Sequence, residues 1–324
     1  MPLKLQYLEL NFSERACATV LYRFTHVPIV RVNYIDVIYP NWYGLKSRQV
    51  SDTYLVFSTF KALLVAAHFQ PTIFVTAVSF LLASELWWEG PAYIIAVGVF
   101  FGQLVVGFTN DLNDFADDSK HNRVEKPLVA GSLTKTLLRK AIWISLALAI
   151  VLNLVGPLGI KGGLIYLFGI GCGVTYNFYL KSTPLSPLPY FLAFAALPAS
   201  VVVATDRTPP LWLLGAGALL GVAAHFANVI KDLKEDVESG IRGLPQIIGE
   251  KNSRAFTAFI LILTTIILTQ VIENILTLAI GLLGSLFLLF GGKRFVFPAI
   301  MLVSLLNVLL LIAAVSVQIG STTN

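Results

Sequence analysis

Long apolar runs separated by short polar stretches dominate the chain from about residue 69 onward. Nine of them approach or reach the roughly twenty residues needed to cross a bilayer core: 69–89, 92–109, 136–156, 160–180, 188–206, 210–230, 254–272, 274–291 and 296–318. The segment 54–68 before them either lies at the membrane interface or extends the first span. Continuous runs of this length form helices in lipid, because only a helix satisfies its own backbone donors there. The pattern predicts an all-α polytopic membrane bundle of about nine transmembrane helices.

Composition supports that reading. Of the 324 residues 56% are hydrophobic and 13% charged, against about 25% charge in soluble domains. Lys and Arg collect in the connections after the second, fourth, sixth and eighth spans, with Lys161 and Arg207 as the exceptions. By the positive-inside rule those connections and the N-terminus face the cytoplasm of a cell membrane. No signal peptide is visible. Residues 1–53 read as a cytoplasmic extension without a recognisable motif, followed by a membrane domain over 54–320. Two cysteines, Cys17 and Cys172, are too few for a thiolate metal site. The net charge of +5 sits in membrane-flanking loops without a basic stripe, which fits anionic lipid headgroups and excludes nucleic acid as a partner.

Two polar stretches share one spacing, N-x-x-x-D-x-x-x-D. Asn110, Asp114 and Asp118 follow the second span; Asn228, Asp232 and Asp236 follow the sixth. Steps of four residues keep each trio on one face of a helix, and the recurrence four helices later suggests an internal repeat that sets the trios opposite one another. Ten of the 18 acidic residues fall in or beside these stretches, too dense a cluster to ionise at a membrane face without a compensating cation. Oxygen donors without His or Cys suit Mg2+, which is usually held by one or two carboxylates plus phosphate oxygens. The acids are accompanied by Lys120, Arg123, Lys126, Lys181, Lys231, Lys234 and Arg242. Such cations suit the non-bridging oxygens of a diphosphate, so the pattern points to a metal-bound diphosphate carrying a lipid tail.

These residues resemble the UbiA superfamily of intramembrane prenyltransferases over roughly residues 55–318. NDLNDFADD at 110–118 matches its NDxxDxxxD and DLKED at 232–236 its second DxxxD. The stretch 121–134 resembles its basic connection, YNFYLK at 176–181 its Tyr-x-x-x-Leu-Lys, and GIRGLPQIIG at 240–249 its G-x-x-T-L-P-x-x-x-G, with Gly243 where Thr is common. The resemblance implies a helical bundle with a central cavity, and Mg2+ held by Asn110, Asp114, Asp118, Asn228, Asp232 and Asp236. The four aspartates would be catalytic. Asn110, Arg123, Lys126, Tyr176, Lys181 and Asn228 would bind the diphosphate, while Tyr176, Phe178 and Tyr179 would shield an allylic cation. It also implies a polyprenyl diphosphate donor and a small, aromatic, quinone-precursor-like acceptor. Sugar- or glyceryl-phosphate acceptors and terpenoid cyclisation or hydrolysis are the alternatives within this chemistry. An Arg common before the first span is absent here, where His68 and Gln70 stand.

Other residues carry two readings each. Asp117 and Glu235 read as solvated or loop-pairing charges rather than ligands, and Asp111 as structural or ligand-orienting. His68, His121 and His225 read as satisfied histidines, with a ligand-orienting or basic role for His225 as the alternative. Gln103 reads as an interhelical hydrogen-bonding residue or an acceptor contact. A divalent-cation transporter is the rival class. It fits less well, because transporters place ligating acids near the bilayer midplane, whereas both motifs begin where an apolar run ends.

Overall fold

In the computed structural model, residues 58–321 are described together with 19–22 and 30–33, with side chains over 58–313. Strands β1 (Thr19–Tyr22) and β2 (Val30–Asn33) pair antiparallel with Val20 opposite Val32. They lie in the stretch for which the sequence reading assigned no element. Val30 and Val32 alternating with Arg31 and Asn33 give the β-branched, period-two pattern that accounts for the second strand. The chain divides into two units, residues 1–61 and 62–324.

Helix α1 (Ser58–Ala66) meets α2 (Phe69–Ser84) at 69°, so the described part of the segment expected at 54–68 does not continue the first span straight; 54–57 lie outside the described residues. His68 at the break takes the left-handed conformation, φ 49°. There follow α3 (Glu89–Lys120), α4 (Lys135–Val155), α5 (Gly159–Thr175) with a π turn at Tyr176–Leu180, α6 (Pro187–Val203) and α7 (Leu211–Ile230). The chain ends in a short α8 (Leu233–Glu238), then α9 (Leu244–Ile272), α10 (Ile275–Phe290) and α11 (Lys293–Ser321). Local chemistry explains many of these limits. Thr134 caps α4 by accepting from the Leu137 amide, Asn274 caps α10 in the same way, and Pro187 and Pro245 open α6 and α9. Gly249, at φ 79°, makes the kink inside α9.

Helices occupy all nine places at which spans were expected. Among the described residues, six are long and apolar enough to cross a bilayer alone, and the bent pair α1–α2 makes a seventh. Helices α6 and α10 have 17 and 16 residues, about 25 Å, a little short of a bilayer core. The bundle is wound largely by sequential neighbours: α2 on α3, α3 on α4, α4 on α5, α5 on α6, α6 on α7, α9 on α10 and α10 on α11. Helix α11 packs back onto α2 and α7, closing the ring. Large apolar residues such as Trp143, Leu283 and Phe290 point outward, as lipid-facing surfaces require. The loop 121–134 folds inward, with Leu128 and Leu133 buried against Phe108, Leu112 and Phe115. It is a packed cap rather than a free connection.

Candidate active site

Helix α3 is 32 residues long, about 48 Å, well beyond a bilayer crossing. Its surplus turns carry the first acidic stripe, with Asn110, Asp114 and Asp118 along one side. Asn110 Nδ2 donates to Asp114 Oδ2 at 3.1 Å. The second stripe differs from expectation. Asn228 ends α7, Asp232 stands in the break before α8, and Asp236 lies on α8, so no continuous helix carries this trio. Asp232 occupies the helix-start position of α8, a place its residue type favours. Both trios nonetheless line the mouth of one cavity of about 450 Å3, together with Arg123, Lys126, Tyr176 and Lys181. All ten residues expected to hold the metal or the diphosphate line it.

At the mouth each carboxylate facing the cavity already has a partner. Lys181 Nζ donates to both oxygens of Asp114 at 2.8 and 2.7 Å. Arg123 donates to Asp118 Oδ1 at 2.8 Å, and Gln246 Nε2 to Asp236 Oδ2 at 2.8 Å. Asp232 has Lys231 at 3.7 Å. Burial raises the Asp236 carboxyl above its ordinary range, against the lowering pull of Gln246 and Lys181. A cation bound beside it would favour the ionised carboxylate. Among the described residues no three His, Cys or acidic side chains converge on one point as they stand. The donor set still fits a hard divalent cation that takes part of its shell from phosphate oxygens: all donors are oxygens, and they come from two sides of one mouth.

Asp111 is buried, 2% exposed, and turned away from the cavity. It accepts from Lys126 Nζ at 2.8 Å and lies 3.6 Å from His68 Nε2, so its structural role prevails. Burial disfavours the charged form of Lys126, but the Asp111 carboxylate, with Asp118 and Asp114 nearby, outweighs it and raises the ammonium above the ordinary lysine value. Asp117 pairs with His121 at 3.4 Å and Arg123 at 4.0 Å, and Glu235 is exposed, as expected of charges outside the ligand set.

The π turn positions Tyr176 and Lys181. Asn177 Nδ2 donates to the Val106 carbonyl and to Thr109 Oγ1, and Asn113 on α3 returns a bond to the Asn177 carbonyl at 2.8 Å. Tyr176 is buried, edge-on to Tyr190 with centroids 5.0 Å apart. Phe178 and Tyr179 are outside the cavity. They line a separate depression of about 240 Å3, and Tyr179 is 76% exposed, because consecutive residues of one turn cannot all face inward. Of these three aromatic residues only Tyr176 lines the main cavity.

Beyond the mouth the walls turn apolar: Val75, Val78 and Leu82 of α2, Ile170 of α5, Leu197 of α6, Leu213, Ala216 and Leu220 of α7, Ile300 and Leu311 of α11. Gln103 lines this region together with Tyr166, whose hydroxyl donates to the Val99 carbonyl at 2.8 Å. Three wall residues were not singled out as site residues. His68 holds Asn110 at 3.3 Å, Gln246 holds Asp236, and Asn307 is buried without a hydrogen-bond partner. Their signal in sequence was only polarity beside or within an apolar run.

An acidic and cationic mouth opening into an apolar interior is thus the main feature of this helical bundle, and the model of the UbiA prenyltransferase family matches residues 72–310. The chain belongs to this family. It is an integral membrane protein. Over 167 residues it is 28% identical to the digeranylgeranylglyceryl phosphate synthase of Thermococcus gammatolerans, a match covering 48% of this chain and 58% of that relative. The match therefore spans little more than half of the relative's length. The apo structure of a UbiA homolog from Aeropyrum pernix superposes with a TM-score of 0.64 at 17% identity, over 77% of this chain and 98% of that one. A UbiA homolog from Archaeoglobus fulgidus, solved bound to GPP and Mg2+, gives a TM-score of 0.60 at 17% identity, over 79% and 99%. At such identities the likeness is one of fold.

Proposed function

We propose that this protein is a prenyltransferase that moves a polyprenyl group from its diphosphate to a hydroxyl of a glyceryl-phosphate lipid, with Mg2+ and with its site facing the cytoplasm. The observation that carries the donor half is the single cavity joining a mouth of carboxylates and cations to an apolar interior. The acceptor class rests on the relatives, which are named as digeranylgeranylglyceryl phosphate synthases. It takes precedence over the aromatic acceptor that the family resemblance placed first. Family membership removes the cation-transporter reading.

In this reading Asp114, Asp118, Asp232 and Asp236 hold the metal, with Asn110 and Asn228 as neutral ligands or orienting groups. Mg2+ supplies charge neutralisation for the departing diphosphate. Lys181 and Arg123 exchange carboxylate for phosphate oxygens when the donor binds, while Lys126, anchored on Asp111, offers its remaining donors. The allylic carbon–oxygen bond breaks with its electron pair leaving on the diphosphate. The glycerol hydroxyl oxygen then forms the new ether bond and gives its proton to the diphosphate or to water. Tyr176 presents its ring to the transient cation. The apolar walls take the tail and keep water from the electrophile.

The test is diphosphate release by purified protein in lipid, with geranylgeranyl diphosphate and either a geranylgeranyl glyceryl phosphate or 4-hydroxybenzoate, with and without Mg2+. Mg2+-dependent release coupled to ether formation on the glyceryl lipid is expected. Prenylation of the aromatic acid alone would restore the aromatic reading.

A further inference from the structure

The N-terminus of α9 begins at Gly243, which has no side chain to cap it. The cap comes from another helix. Ser186 stands at the start of α6, yet its hydroxyl makes no bond to α6; it accepts the Leu244 amide of α9 at 3.1 Å. Ser186 Oγ is in turn hydrogen-bonded to Nε2 of His225 on α7 at 3.0 Å, and both residues are fully buried. His225 is enclosed by Tyr176, Tyr190 and Phe226, which leave its ring little freedom.

The start of α9 matters because Gln246, on its first turn, holds Asp236 at 2.8 Å. Gly243 lets these pieces meet. A Cβ there would lie 2.6 Å from Gln246 Oε1, 2.8 Å from the Lys181 carbonyl and 3.0 Å from Ser186 Oγ. A side chain at 243 would displace the borrowed cap, Gln246 and the backbone of the π turn that carries Lys181 together.

We propose that Ser186, braced by His225 and admitted by Gly243, is a positioning residue that fixes Gln246 and thereby Asp236 for metal binding. The inference rests on the reading of Asp236 as a metal ligand. It assigns His225 a bracing role outside the cavity wall. It also gives the glycine in GIRGLPQIIG a physical reason, since the hydroxyl that a Thr would supply there arrives from Ser186.

The experiment titrates Mn2+ into purified protein with inorganic pyrophosphate, read by electron paramagnetic resonance, for wild type, Ser186→Ala, Ser186→Thr and Gly243→Ala. Hydrogen exchange across 243–248 is read in parallel. Ser186→Ala and Gly243→Ala are expected to weaken Mn2+ binding roughly three- to tenfold and speed exchange at the start of α9, as loss of a helix cap implies. Ser186→Thr is expected to restore both. Faster exchange with wild-type Mn2+ affinity would overturn the proposal, leaving Ser186 a cap only. Absence of Mn2+ binding by wild type would overturn the metal reading and this proposal with it.

Discussion

Asp111 and Asp114 stand three residues apart on one helix and serve opposite ends. Asp114 faces the cavity, tied to Lys181, whereas Asp111 is buried behind it as the anchor of Lys126. Asp114→Asn and Asp236→Asn are expected to abolish Mg2+-dependent diphosphate release while leaving membrane insertion intact. Near-normal turnover in either would sink the site assignment. Asp111→Asn leaves the Lys126 ammonium without its buried counter-charge, and a broken buried pair costs about 3 kcal/mol. It should lower the thermal midpoint and raise the donor KM, whereas Glu235→Gln, at an exposed position, should change neither. Sequence spacing set Asp117 and Glu235 apart from the proposed ligands, and neither lines the main cavity. It could not place Asp111, because the partner that draws that carboxylate inward comes from a folded loop.

At the scale of elements, the π turn decides where Tyr176 and Lys181 stand. Tyr176 and Lys181 are five residues apart, which on an α-helix would set them about 140° apart around the axis. The i→i+5 bond from the Lys181 amide to the Tyr176 carbonyl, 2.9 Å, widens the turn and brings both onto the cavity wall. Asn177 and Asn113 hold that turn against α3. Asn177→Ala removes two hydrogen bonds and leaves Thr109 and a carbonyl less satisfied, which costs roughly 1–3 kcal/mol. The expected readout is a lower thermal midpoint with a raised KM for geranylgeranyl diphosphate; a changed midpoint with an unchanged KM would mean that Lys181 keeps its place without the turn. The motif residues were legible in sequence, but the turn was not, since nothing local distinguishes it from the end of a helix. The same holds for the break between Asn228 and Asp232.

For the whole molecule, closure of the ring by α11 against α2 turns helix faces into one cavity reaching from the acidic mouth past Ala216, about 18 Å along α7 from Asn228. Ala216→Leu should therefore reduce turnover of geranylgeranyl diphosphate while sparing geranyl diphosphate; equal loss with both would place the tail elsewhere. Orientation has its own check. Lys161, one of two cations against the positive-inside pattern, is paired with Asp206 at 3.0 Å. Cysteines at 239 and 206 should label from the cytoplasmic and the opposite side respectively, and the reverse would refute the cytoplasmic mouth. The sequence by itself determined that the chain is a bundle of membrane helices with oxygen donors and cations gathered at one face, because apolar run length, helical period and charge placement are written in neighbouring residues. Only the tertiary structure decided which carboxylates face the cavity, how Tyr176 and Lys181 come to share a wall and what caps α9. Those outcomes depend on partners far apart in the chain, Asn113 with Asn177 and Ser186 with Leu244, which meet only when the helices pack.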